Sequence, residues 1–154
     1  MQEWRDMTVE LYATKVFPKP GAMEFLKEMK RRGILLGIAT SNDREIAEAA
    51  LNARGLGVYF DSVRTSCEVE AGKPAPDVYL KVAEDLDVAP EECLVFEDIP
   101  NGIMAGKNAG MEVCAVYDEF SIKDDEEKRR LADYFIRDFF EIMNHTYEKC
   151  RVAE

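Results

Sequence analysis

The chain has 154 residues, 47% hydrophobic and 33% charged, which suits one compact globular domain and excludes a disordered or fibrous chain. Thirty-one Asp and Glu against 20 Lys and Arg give a net charge of −11, which argues against non-specific binding to nucleic acid or to an anionic membrane surface and favours a cation as partner. No apolar run approaches the roughly 18 residues of a bilayer span, and the start, "MQEWRDMTVE", lacks the basic-then-apolar layout of a signal peptide. The expectation is a cytoplasmic protein with neither nucleic acid nor membrane as partner. Cys67, Cys93, Cys114 and Cys150 form no CxxC pair, and two of them lie in apolar runs, which fits buried thiols in a reducing compartment better than disulfides.

Along the chain, Trp4, Met7 and Leu11 recur at helical spacing with charges between them, which predicts an amphipathic helix ended by Pro18 and Pro20. Its packing partner is not evident. "GAMEFLKEMKRRG" predicts a second helix, with Phe25, Leu26 and Met29 on one face and Gly33 as its stop. "ILLGIAT" is a continuous apolar run of buried-strand length. "SNDREIAEAALNARG" restarts the helical period, with Asn42 or Asp43 as N-cap and Gly55 as stop. "FDSVRTS" predicts a short strand, "APDVYLKVAEDLDV" a helix with Pro76 near its first turn, "CLVFE" a strand, "NGIMAGKNAG" a helix and "EVCAVY" a strand. A charged helix, a brief strand around Tyr134 to Ile136 and a final helix complete the pattern. Apolar runs alternating with helices predict a parallel sheet with helices on both faces, and in such sheets ligands bind beyond the carboxyl ends of the strands.

That rule gathers three separated features onto one edge. Thr40 and Ser41 end one apolar run, Glu97 and Asp98 end another, and Lys73 stands in the loop before a helix. A hydroxyl with free backbone N–H groups, an ammonium and two carboxylates can together hold a phosphate and a metal ion. Taken singly, each has a plainer explanation: turn and cap chemistry at Thr40, a solvated charge at Lys73, a turn at Asp98. Adjacent buried carboxylates are costly without a cation, which is why the pair asks for a partner.

The stretches "GIATSND", "GKPAPDVYLKVAEDL" and "ECLVFEDIPNGIMAGKNAGM" resemble the second, third and fourth motifs of the haloacid dehalogenase-like (HAD) superfamily, in the branch of β-phosphoglucomutase and small sugar-phosphate phosphatases. The resemblance runs from about Phe17 to Tyr117. It implies an α/β, Rossmann-like core and phosphoryl transfer through an aspartyl-phosphate. It also implies a phosphate site at Thr40, the Ser41 backbone N–H, Asn42 and Lys73, with Thr40 and Lys73 catalytic. Glu97 and Asp98 would position Mg²⁺, and the substrate would be a small phosphorylated metabolite.

The family's first motif, DxDx[TV], supplies the nucleophilic Asp and is not found. Before Thr40 the only Asp is Asp6, followed two positions later by Thr8. "DLDVA", Asp85 to Ala89, matches the text pattern but follows a helical period, so a solvated helix end is preferred. The resemblance therefore implies a core, residues 17–154, that lacks its central first strand and most of its cap, with residues 1–16 as a remnant of the helical cap. Two neighbouring strands would then expose edges. Either they pair with each other, or another chain or a dimer partner covers them, or the sequence is a fragment; the last is adopted, with the isolated chain inactive. The alternative is a non-catalytic phosphate- or metal-binding module, or one that complements a second chain. Substrate identity and the choice between phosphatase and mutase remain open.

Overall fold

The computed structural model describes residues 8–11 and 19–150. Seven strands form a single sheet: β1 (Thr8–Leu11), β2 (Leu36–Thr40), β3 (Ser62–Thr65), β4 (Cys93–Glu97), β5 (Glu112–Val116), β6 (Tyr134–Ile136) and β7 (Glu148–Lys149). Their order is β3-β2-β1-β4-β5-β6-β7. All neighbours pair in parallel except β6 and β7. Among the described residues six α-helices connect them: α1 (Ala22–Arg31), α2 (Arg44–Ala53), α3 (Asp77–Leu86), α4 (Pro100–Asn108), α5 (Asp125–Leu131) and α6 (Phe140–Met143).

The α/β class and the helices on both faces are as expected, and alternation along the strands explains how. Leu94 and Phe96 of β4 join Leu36 and Ile38 of β2 in one core, beneath Phe25, Leu26 and Met29 of α1, Leu51 of α2 and Ile142 of α6. Cys93 and Val95 face the other way, with Val113 and Ala115 of β5, and pack against Val78, Tyr79 and Val82 of α3 and Ile103 of α4. A strand covered on both faces reads as an unbroken apolar run, which is why its period of two was hidden in the sequence. Cys93 and Cys114 are buried, Cys67 is exposed and Cys150 is half-buried.

The caps follow local chemistry. Asp43 is the N-cap of α2, its side chain accepting the Ile46 N–H at 2.9 Å. Gly33 and Gly55 follow α1 and α2 at positive φ, as expected of helix stops.

Two expectations need correction. Thr8–Leu11 is a strand, not part of a helix, and it lies between β2 and β4 in the slot the sequence left vacant. Val9 and Glu10 register with Leu36 and Gly37 on one side, and Thr8 to Leu11 with Cys93 to Phe96 on the other. Two unpaired parallel edges offer a row of backbone donors and acceptors that a lone amphipathic helix cannot satisfy, and pairing both outweighs the local helical period. The rest of that expected helix, and Asp6, lie outside the described residues. The second correction is at the C-terminal end. The final helix is only Phe140–Met143, and β7 follows it as an antiparallel edge strand.

Candidate phosphate and cation site

The carboxyl ends of β2, β1 and β4 lie side by side. Thr40 closes β2 and is buried, while Ser41 beyond it is exposed. The Thr40 hydroxyl accepts the Asn42 N–H at 3.1 Å, which leaves its own proton available to a ligand. Asn42 and Asp43 then lead into α2, so the first-turn N–H groups of that helix open beside the end of β2.

Lys73 reaches into this edge from the loop before α3. Its Nζ donates to the Ala39 carbonyl at 3.1 Å and to the Glu97 carboxylate, with which it forms an ion pair, and the side chain is 5% exposed. One ammonium thus bridges β2 and β4 across the width of β1, a span of about 10 Å between backbones. The bond joining Lys73 to Pro74 is cis.

Glu97 is fully buried at the end of β4. Besides Lys73, the Tyr79 hydroxyl of α3 donates to Glu97 Oε1. Its Oε2 has no hydrogen-bond partner among the described residues. Burial pushes the Glu97 carboxyl above the usual range, against the opposing pull of Lys73 and Tyr79, and the neighbouring Asp98 adds to the upward push. Gly102 of α4 lies directly over this carboxylate: a β-carbon there would collide with it. Gly106, one turn on, instead lets α4 approach the sheet, since its β-carbon would sit 2.7 Å from Val113 Cγ2.

Asp98 is also buried, and its Oδ1 has no partner among the described residues. Burial raises its carboxyl too, Lys19 opposes the shift, and Asp118 reinforces it. Ser121 Oγ donates to the Asp98 carbonyl at 3.0 Å and receives a hydrogen bond from the wholly buried Lys128 at 3.1 Å. The structure therefore brings Lys73 and Glu97 into contact, with Asp98 next along the chain and Thr40 closing β2 beside the Ala39 carbonyl that Lys73 grips.

Sequence reasoning missed four participants. Tyr79 read as one more apolar position of α3, although a buried phenol requires a partner for its hydroxyl. Lys19, Asp118 and Lys128 carried no signal beyond a Lys between two prolines and charges in an acidic tail. The "DLDVA" reading is consistent with the structure: Asp85 lies in the last turn of α3, bound by Arg64 and Ser62, and Asp87 is the helix C-cap.

The donor chemistry fits a hard divalent cation in part. Two adjacent buried carboxylates each present an oxygen with no partner among the described residues, and burial disfavours their charged forms, a cost that a cation relieves. Among the described residues, however, no three His, Cys, Asp or Glu side chains converge into a complete ligand set.

Known proteins resemble this chain in sequence and fold. The haloacid dehalogenase-like hydrolase family matches residues 3–110. The chain is 35% identical over 122 residues to validoxylamine A 7'-phosphate phosphatase of Streptomyces hygroscopicus, covering 79% of this chain and 55% of that protein. It is 42% identical over 93 residues to the phosphorylated carbohydrates phosphatase of Thermotoga maritima, covering 60% of this chain and 43% of that one. Among solved structures, CbbY from Rhodobacter sphaeroides in complex with xylulose-(1,5)bisphosphate superposes with a TM-score of 0.73 at 31% identity, covering 80% of this chain and 55% of that one. β-Phosphoglucomutase from Clostridium difficile gives 0.69 at 26% identity, over 83% and 55%. The chain spans about half the length of the relatives it matches. The order of its motifs, the parallel sheet that carries them and the extent of these matches together show that this chain belongs to the haloacid dehalogenase-like hydrolases, in their phosphoglucomutase-like branch.

Proposed function

We propose that these residues are the phosphate- and Mg²⁺-binding part of a phosphatase or phosphomutase acting on a small phosphorylated metabolite. In this reading none of the residues of this sequence is the nucleophilic Asp: β1, "TVEL", holds no Asp, and "DLDVA" follows a helix rather than a strand. The observation that carries the reading is Lys73. A buried ammonium held between the Ala39 carbonyl and Glu97, at the strand end that Thr40 closes, would supply the positive charge that a transferring phosphoryl group needs. Relatives named as a validoxylamine A 7'-phosphate phosphatase and a phosphorylated carbohydrates phosphatase support the substrate class.

In this reading Thr40, the Ser41 N–H and Asn42 take phosphate oxygens at the end of β2, and Lys73 neutralises them. Glu97 and Asp98 would hold Mg²⁺, which supplies charge that lets an anionic nucleophile approach an anionic phosphate. Tyr79 fixes the Glu97 carboxylate, and Gly102 leaves room for it.

The test is calorimetry of the 154-residue chain with inorganic phosphate in Mg²⁺ buffer, beside a p-nitrophenyl phosphate assay. Phosphate binding that Lys73→Met weakens at least about tenfold, without turnover, is the expected result. Equal binding by Lys73→Met refutes the site. Turnover abolished by Asp85→Asn would move the nucleophile to Asp85.

A further inference from the structure

The Asp98 side of the site carries a cation of its own. Lys19 stands just before α1, and its Nζ is 2.7 Å from Asp118 Oδ2, 3.3 Å from the Tyr117 carbonyl and 3.8 Å from Asp98 Oδ2. The two shorter contacts are to the segment that follows β5; only the longest is to Asp98. The ammonium is therefore anchored on one carboxylate and leans towards a second without closing on it.

The anchor is itself fixed. Asp118 Oδ1 accepts the Phe120 N–H at 2.8 Å. Ser121 ties the same segment to the Asp98 carbonyl, and Lys128 Nζ holds Ser121 while donating to the Val116 carbonyl at 2.9 Å. Asp98 is left with an Oδ1 that no described residue partners, on a side chain only 9% exposed. Glu97, Asp98 and Asp118 bring three negative charges and Lys19 and Lys73 two positive ones, so the cluster keeps one negative charge unbalanced. Lys128 also acts on Asp98, but it pairs with Asp125 at 3.5 Å, so the two together leave the balance unchanged.

We infer that Lys19 is a tethered counter-cation that sets the affinity of the Glu97–Asp98 pair for a divalent cation. Its charge stabilises the Asp98 carboxylate from 3.8 Å while no ion is bound and opposes an ion that arrives at Oδ1. The bond to Asp118 keeps it from closing on Asp98. This inference rests on the proposed reading of Glu97 and Asp98 as the cation site. It makes two predictions of opposite sign. Removing the Lys19 charge tightens divalent binding. Removing the Asp118 anchor weakens it, by losing a negative charge and by releasing Lys19 towards Asp98. A lysine that only packs, or only binds phosphate, would not produce that pair.

The experiment titrates Mn²⁺ by electron paramagnetic resonance, and Mg²⁺ by calorimetry, into the full chain without phosphate, for wild type, Lys19→Met, Asp118→Asn and the double variant. Lys19→Met should bind at least about tenfold more tightly and Asp118→Asn at least about threefold more weakly. In the Lys19→Met background the Asp118 substitution should lose part of its effect, because no lysine is left to release. A folded Lys19→Met that binds no more tightly than wild type overturns the inference and leaves the cation site standing. Should Lys19→Met not fold, Lys19→Gln and Asp118→Asn carry the test, and Asp118→Asn binding as tightly as wild type overturns it. If wild type and Lys19→Met both bind no Mn²⁺, the cation reading itself fails and the inference with it.

Discussion

Glu97 and Asp85 show how the same functional group takes opposite roles according to its surroundings. Glu97 is buried and its carboxyl is raised by desolvation, with Lys73 and Tyr79 opposing the shift. Asp85 is partly exposed, and the Arg64 guanidinium holds its carboxyl below the usual range, with Ser62 Oγ assisting at 2.8 Å. Arg64 binds both oxygens, Nε to Oδ2 at 2.6 Å and a terminal nitrogen to Oδ1 at 3.0 Å. A depressed folded-state pKa contributes stability above the unfolded pKa of about 4, and that contribution is lost as pH falls through the folded value. Asp85→Asn should therefore cost about 1 kcal/mol at pH 7. Urea unfolding across pH should show the gap to wild type constant down to about pH 5 and closing below about pH 4.

At the scale of elements, α3 connects the core to the candidate site, through Val82 on the sheet and Tyr79 on Glu97. Tyr79, Val82, Ala83 and Leu86 of its apolar stripe were legible from periodicity; the structure adds Val78, and the stripe packs against the sheet. Packing closeness was not legible. A β-carbon on Gly37 of β2 would strike Val82 Cγ1 and lie 3.4 Å from Leu86 Cδ1. Gly37→Ala should cost about 1–3 kcal/mol in chemical denaturation, since both neighbours are packed side chains of a helix held against the sheet. Because Tyr79 lies on the same helix, the variant should also weaken phosphate binding in calorimetry, by displacing the hydroxyl that holds Glu97. On the opposite face, Phe25, Phe96 and Phe139 meet with ring centroids 5.1–5.3 Å apart and join α1, β4 and the segment before α6.

For the whole molecule, the decisive feature is the strand between β2 and β4. With β1 in place the site's two halves are held one strand apart, the spacing that Lys73 bridges. Glu10 sits between Gly37 and Val95 in the register. A proline there removes a backbone donor from a central strand, so Glu10→Pro should cost about 1–3 kcal/mol, read as a lower Tm by circular dichroism. An unchanged Tm would mean that residues 8–11 do not hold the sheet together.

Local order was enough to read most of the elements. The apolar runs, the helix periods, the Asp43 cap and the glycine stops depend on near neighbours, so they survive in a one-dimensional string. Thr40, Lys73, Glu97 and Asp98 could be gathered from the sequence as candidates because they stand at strand ends or in the loop before a helix, in a recognisable order. Tertiary structure decided the rest. Lys19 finds Asp118 99 residues away, and Tyr79 finds Glu97 18 residues on. Residues 8–11 became a strand against their helical spacing. Ion pairs and strand pairing are settled by which groups the closed chain brings within reach, and burial then makes an unpaired charge or backbone edge too costly to leave.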